Sequence, residues 1–314
     1  MESSVVKGRL VIDRRRLLAG TAAAGLVAAV APRLAFAQAS PDSGRNATPS
    51  PNGTSLPAGE AGWVKYNLNT ITSDQNLSIP NAGDQMTHEF DEYRPWTTIG
   101  QFRKEIGKYV DADVVAGYEF YVFAPIDPTD PDADTFQQLP GLDADEAEQL
   151  AGGGPYADDA SFLTALGQLV SAEQASLAPA FLASAAAPEA SWIKYDLNTI
   201  TADQILSIPG APEQMTHEFD EYRPWTTIGQ FRKEIGKYVG DDVVAGYEQY
   251  VFVPISPNDA DEATLQQLPG VDEDKAKALV AAQPFADNAA FLAALAGQVS
   301  AEQAALATAY LATS

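Results

Sequence analysis

From residue 63 onward, apolar side chains recur at helical spacing. After Pro209, Met215, Phe219 and Tyr222 fall on one helical face, and Phe231 and Ile235 begin the next. Each run opens on a polar signal. Thr72-x-x-Gln75, Thr98-x-x-Gln101 and Ser171-x-x-Gln174, with their counterparts Thr201-x-x-Gln204, Thr227-x-x-Gln230 and Ser300-x-x-Gln303, have the form of capping boxes, in which side-chain oxygens satisfy the open amides of a first turn. Pro-Gly and Arg-Pro pairs punctuate the runs. Short apolar ends such as Tyr250-Val251-Phe252-Val253 before Pro254 have strand character but are too few to indicate a sheet. The pattern predicts an all-α protein.

The same pattern occurs twice. Gln85–Val110 recurs letter for letter at Gln214–Val239, a displacement of 129 residues, and residues 63–185 align with 192–314 at that displacement without a gap. Each copy divides again. A shift of 60 carries Ile208-Pro209-Gly210-Ala211 onto Leu268-Pro269-Gly270-Val271, Arg223-Pro224-Trp225 onto Gln283-Pro284-Phe285, and Phe231 onto Phe291. The chain therefore reads as four units in the order A-B-A-B: 63–126, 127–185, 192–255 and 256–314.

Ahead of the repeats, Asp13-Arg14-Arg15-Arg16-Leu17-Leu18 opens an Ala/Gly-rich run that ends at Ala35-Phe36-Ala37, an A-x-A cleavage signature. Residues 1–37 resemble a twin-arginine signal peptide, which implies export to an extracytoplasmic location, periplasmic or secreted. Residues 38–62, rich in Ser, Pro, Asn, Thr and Gly, read as a disordered linker. No later run is long and apolar enough to span a membrane.

Charge changes the picture. The net charge is −24, and beyond residue 37 the chain holds 13 basic against 41 acidic side chains. Such a surface repels polyanions unless a basic patch is locally exposed. The duplicated stretch is the exception: Arg94, Arg103, Lys104 and Lys108 balance Glu89, Asp91, Glu92 and Glu105. With Arg223, Arg232, Lys233 and Lys237 in the second copy, these are the candidate anion-binding or partner-binding side chains. The alternative is that Arg94 and Arg223 hydrogen-bond carbonyls at a helix end while the lysines solvate a face.

Other chemistry is sparse. The chain has no cysteine, which excludes disulfides and thiolate metal sites. The two histidines, His88 and His217, have acids at i−4 and i+4 (Asp84 and Glu92, Glu213 and Glu221), geometrically a weak metal pattern, but an exposed acidic helix face explains it without a metal. Trp63, Trp96, Trp192 and Trp225 occur only in A units and read as core, with base or sugar stacking the minor alternative. No nucleophile elbow, Walker loop or dinucleotide motif is present. The expectation is a protein without catalytic residues, cofactor or metal.

The order helix, Ile/Leu-Pro-Gly turn, helix, with Thr216 and Ala276 seven residues after the turn proline, Phe219 and Leu279 ten after, and Arg223 fourteen after, resembles the helix-hairpin-helix family of ComEA-type competence DNA receptors. The upstream Leu197-Asn198-Thr199-x-Thr201 matches that family's N-T-A-S/T lead-in, and Ile106-Gly107 and Ile235-Gly236 fall near its second hairpin. The resemblance implies four tandem helix-hairpin-helix units, the B units degenerate. It also implies backbone contacts to DNA through hairpin amides, together with Gly107 and Gly236.

The hairpin turns depart from the family's Gly-x-Gly. They read Asn81-Ala82-Gly83, Gly141-Leu142-Asp143, Gly210-Ala211-Pro212 and Gly270-Val271-Asp272. Pro212 lacks an amide donor. Asp143 and Asp272 put carboxylates where a phosphate would sit, and are expected to cap the following helix instead. The extrinsic lumenal helix-hairpin-helix protein of photosystem II also resembles these units, and it contacts protein. The favoured expectation is a scaffold that binds a protein partner or envelope complex, with extracytoplasmic DNA binding as the alternative; oligomeric state is left open.

Overall fold

The computed structural model describes residues 56–312. The signal-like segment 1–37 and the linker up to residue 55 lie outside the described residues. The first copy runs β1 (Glu60–Asn67), α1 (Ser73–Leu77), α2 (Asp84–Glu92), α3 (Ile99–Ile106), α4 (Ala112–Glu119), β2 (Val122–Phe123), α5 (Ala133–Phe136), α6 (Ala144–Gly152), α7 (Asp159–Leu166) and α8 (Ala172–Leu177). The second copy repeats that order: β3 (Glu189–Asp196), α9 (Ala202–Leu206), α10 (Gln214–Glu221), α11 (Ile228–Ile235), α12 (Asp241–Tyr247), β4 (Val251–Phe252), α13 (Glu262–Leu265), α14 (Glu273–Ala281), α15 (Asn288–Ala296) and α16 (Ala301–Ala307).

The all-α expectation is overturned. The protein is mostly helical, but it is built around a four-stranded mixed sheet in the order β2-β1-β3-β4. The pair β1–β3 is antiparallel, and β2 and β4 flank it in parallel. Val251–Phe252, part of one of the strand-like ends set aside as too few for a sheet, is the edge strand β4, and Tyr195 and Asp196 of β3 supply its partner residues. The central strand begins at Glu60, within the stretch read as linker. Its residues Trp63, Val64 and Tyr66 have the aromatic and β-branched side chains that suit a pleated, buried surface.

The register reveals a symmetry. Trp63 stands opposite Trp192, its own copy; Glu60 faces Tyr195 and Tyr66 faces Glu189. A strand paired with its duplicate in this way has an approximate two-fold axis at the tryptophan pair, the geometry of an isologous dimer interface within one chain.

The units cross-pack about that axis. From the first B unit, Gln174 Nε2 donates to Ser207 O at 2.8 Å and Gly141 N donates to the Tyr250 hydroxyl at 3.2 Å. From the second B unit, Gln303 Nε2 donates to Ser78 O at 3.1 Å and the Tyr310 hydroxyl to Gly62 O at 3.4 Å. Each B unit is thus pinned to the other copy's A unit.

Local signals behave as the sequence suggests, with one shift. Full capping boxes form at Thr72, Thr201, Ser171 and Ser300, and Asp143 and Asp272 cap α6 and α14. At Thr98 and Thr227 only half of the box forms. Gln101 and Gln230 turn their side-chain oxygens to Thr97 N and Thr226 N instead. All four tryptophans are core: Trp96 and Trp225 are fully buried, and each indole donates at 2.9 Å to the carbonyl of Phe90 or Phe219.

Candidate binding faces

Arg94 and Arg223 are structural. Arg94 Nε donates to Leu68 O at 2.8 Å and Nη2 to Ile71 O at 2.6 Å; Arg223 makes the same bonds to Leu197 O and Ile200 O at 2.9 and 2.6 Å. In the second B unit Gln283 takes this place, bonding Pro257 O and Ala260 O at 2.9 and 3.2 Å. The guanidiniums tie the helix end to the loop before α1 or α9, and their Nη1 groups pair with Asp91 and Asp220 at 2.9 and 2.6 Å.

The remaining basic groups of the duplicated stretch are paired locally. Arg103 grips Glu119 with two bonds of 2.8 Å, and Arg232 grips Glu248 at 2.7 and 2.8 Å. Their guanidiniums are held charged, chiefly by that carboxylate bond. Lys104 and Lys108 both reach Glu105, and Lys233 and Lys237 both reach Glu234. Gly107 and Gly236 terminate α3 and α11, and their amides donate to Arg103 O and Arg232 O. Ile99 N and Ile228 N, at the starts of those helices, are taken by the hydroxyls of Thr135 and Thr264 at 3.1 Å.

The hairpin turns are also committed. Asn81, Gly210, Gly141 and Gly270 all adopt positive φ, so these positions mark four equivalent turns. The Gly141 amide meets the buried hydroxyl of Tyr250, and Gly270 lies against Tyr121. In the A units, the carbonyls of Asn81 and Gly210 accept from the hydroxyls of Tyr118 and Tyr247. Ala82 and Ala211 close the turns by donating to Ile79 O and Ile208 O. Gly83 starts α2 without a side-chain cap.

Each A-unit turn lies across a cleft from a B-unit turn of the other copy. One cleft, of about 510 Å³, runs from Pro80 and Asn81 to Val271 and Asp272; the other, of about 460 Å³, runs from Pro209 and Gly210 to Gly141 and Asp143. Acids outnumber bases on both walls: Asp113, Glu248, Asp272 and Glu273 against Lys194 and Arg232 in the first, where Glu248 grips Arg232, and Asp143, Glu146 and Asp203 with no base among the lining residues in the second. An anion approaching these turns meets carboxylates.

Among its exposed charged side chains the duplicated stretch also carries an aromatic patch. Tyr93 and Tyr109 join hydroxyls at 3.0 Å, Lys108 Nζ lies 5.2 Å above the Tyr93 ring, and Lys104 projects into solvent. The second copy repeats this with Tyr222, Tyr238, Lys237 and Lys233, at 3.0 and 5.1 Å. Tyr109 and Tyr238 are among the few large apolar-bodied side chains left exposed, 38% and 40%. The bond to Tyr93, and then Glu89, hold the Tyr109 hydroxyl protonated well above its ordinary range. Each patch is a preorganised tyrosine pair rimmed by lysine.

The tyrosine pairs were missed in the sequence because Tyr93 and Tyr109 are 16 residues apart, on either side of α3. Their presence within the identical block was the available signal. A second unread feature lies at the two-fold axis. Lys65 and Lys194 are buried, each donating to a carbonyl (Glu119 O at 2.9 Å, Glu248 O at 2.8 Å) and each stacked over the opposite tryptophan, Trp192 or Trp63. Burial lowers both ammonium groups to about 8.

His88 and His217 are exposed and pair with Glu92 and Glu221 at 3.3 Å. Among the described residues no group of three or more His, Asp or Glu side chains is placed to hold a metal ion, and no helix is long and apolar enough to cross a membrane. No protein-family model, curated protein or solved structure matches the chain.

Proposed function

We propose that this chain is a non-enzymatic binding or scaffold protein that presents two copies of one face to a protein partner in an extracytoplasmic complex. The observation that carries the reading is the duplicated Tyr93–Tyr109–Lys108 patch and its copy Tyr222–Tyr238–Lys237. Exposed tyrosine held rigid by its neighbours is the side chain most suited to anchor a protein interface, because it brings large contact area at small entropic cost. The twin-arginine-like segment supports the extracytoplasmic setting.

DNA binding through the hairpins is the second reading, and it rests on the family resemblance. Against it stand the occupied turn amides, the paired basic groups and the acidic cleft walls. A mobility-shift titration with duplex and single-stranded DNA at about 20 mM salt tests it, since phosphate contacts are strongest there. No shift is expected. A shift that weakens with added salt, and weakens further in Arg103→Ala/Lys104→Ala/Lys108→Ala, would replace the protein-partner reading with the DNA one.

A further inference from the structure

Beyond partner binding, we infer that the β1–β3 ladder joining the two copies is a proton-dependent clasp, closed while Glu60 and Glu189 carry protons and loosened when they ionise. The ladder has two faces. Trp63, Lys65, Trp192 and Lys194 occupy one, while Glu60 with Tyr195 and Tyr66 with Glu189 occupy the two ends of the other.

At each end a second carboxyl enters from a B-unit helix. Glu173 of α8 lies near Glu60 and accepts from the Tyr195 hydroxyl at 2.7 Å; Glu302 of α16 lies near Glu189 and accepts from the Tyr66 hydroxyl at 3.2 Å. Glu60 is buried; among the described residues its Oε1 receives Gln204 Nε2 of α9 alone, at 3.3 Å, and its buried Oε2 has no partner. The groups that face Glu60 are therefore Tyr195, Glu173 and Gln204, and those that face Glu189 are Tyr66 and Glu302. The basic side chains of the two strands, Lys65 and Lys194, are committed to the opposite face.

Burial, and then the like charge of Glu173, raise Glu60 to about 7; burial and Glu302 raise Glu189 in the same direction. The sign follows from linkage. A released carboxyl titrates near its ordinary 4.5, so between 4.5 and about 7 the closed ladder binds more protons than the open one. Closure is strongest below that window, weakens as pH rises through it, and levels off above. Because the two carboxyl pairs lie at opposite ends of one ladder, ionisation loosens both ends together, and the two tyrosine patches lose their fixed spacing.

The test uses the full chain between pH 5 and pH 7, a unit below the buried lysines' titration near 8. Hydrogen exchange, corrected for its intrinsic pH dependence, is followed at the β1 and β3 ladder amides and at Phe102 and Phe231 inside the A units. The ladder opening ratio is expected to rise at least about tenfold, with the A-unit amides unchanged, and Glu60→Gln/Glu189→Gln is expected to remove the rise while the exposed control Glu148→Gln keeps it. The same rise in the double variant, or no rise in the wild type, overturns the clasp. Carbon-13 titration of the wild-type glutamates gives a reading independent of any variant: a Glu60 midpoint near 7 supports the clasp, and midpoints for both Glu60 and Glu189 in the ordinary carboxylate range overturn it.

Discussion

A guanidinium can serve a phosphate or two backbone carbonyls, and Arg94 is committed to the carbonyls of Leu68 and Ile71. Removing it strands two acceptors in a half-buried loop, which costs about 1–3 kcal/mol. Arg94→Ala should therefore lower the unfolding free energy from urea titration by that amount, and with it the midpoint, whereas Arg94→Gln should recover part of it, because Gln283 performs the same task in the second B unit. Equal midpoints for wild type and Arg94→Ala would refute the structural assignment. The carbonyl-bonding alternative was legible in the sequence as a role. The equivalence of Arg223 and Gln283 came only with the matching loops they bind, through the carbonyls of Leu197 and Ile200 in one unit and of Pro257 and Ala260 in the next. Lys65 and Lys194 were not legible at all, since a lysine in an apolar strand looks the same whether it reaches solvent or a carbonyl. Their ammonium groups titrate near 8 when folded and near 10.5 when unfolded, so the unfolded chain binds more protons above pH 8. Stability should rise with pH from about 8 to 10.5 on their account. Denaturant midpoints across that range should show the gain in the wild type and lose it in Lys65→Met/Lys194→Met; an unchanged profile in the variant would exclude these groups as its source.

Elements divide by the range of the interactions that make them. Capping boxes, helix faces and turn prolines act within a few residues, and the sequence read them well except at Thr98 and Thr227, where Gln101 and Gln230 bond one residue further upstream. The sheet escaped the same reading because β1 has no partner near it in sequence. Its antiparallel neighbour is its own duplicate, and β2 and β4 are two-residue strands paired only to β1 and β3, more than 50 residues away from their partners in sequence. The hairpin turns show a further split that composition hides. Gly141 and Gly270 have φ near +87° and +76°, and an added Cβ would collide with the amides of Gln174 and Gln303. Gly210 has φ +70° with open space around it, and its copy position already holds Asn81 at φ 65°. Gly141→Ala should cost on the order of 1–3 kcal/mol in thermal or urea unfolding, and Gly210→Asn should stay within about 0.5 kcal/mol. Equal losses at the two positions would mean that the B turns are not the tighter ones.

At the scale of the molecule, duplication has produced a chain that folds as its own two-fold dimer. The B units are pinned to the opposite copy, the acidic clefts lie where the turns meet, and the two tyrosine–lysine patches are related by the same approximate axis. The 129-residue displacement displayed the duplication but not its consequence, because only the register of Trp63 against Trp192 fixes the axis. Two identical faces held in fixed relation bind a partner that itself offers two sites far more tightly than either face alone, by about 10²–10⁴. The most direct test measures retention of the partner complex on immobilised full-length protein for the wild type, Tyr109→Ala, Tyr238→Ala and the double variant. Each single substitution should shorten retention at least about tenfold and to a similar degree, and the double should abolish it. Unchanged retention in the double variant would contradict the assignment of function to these faces, and loss in only one of the single variants would contradict their equivalence.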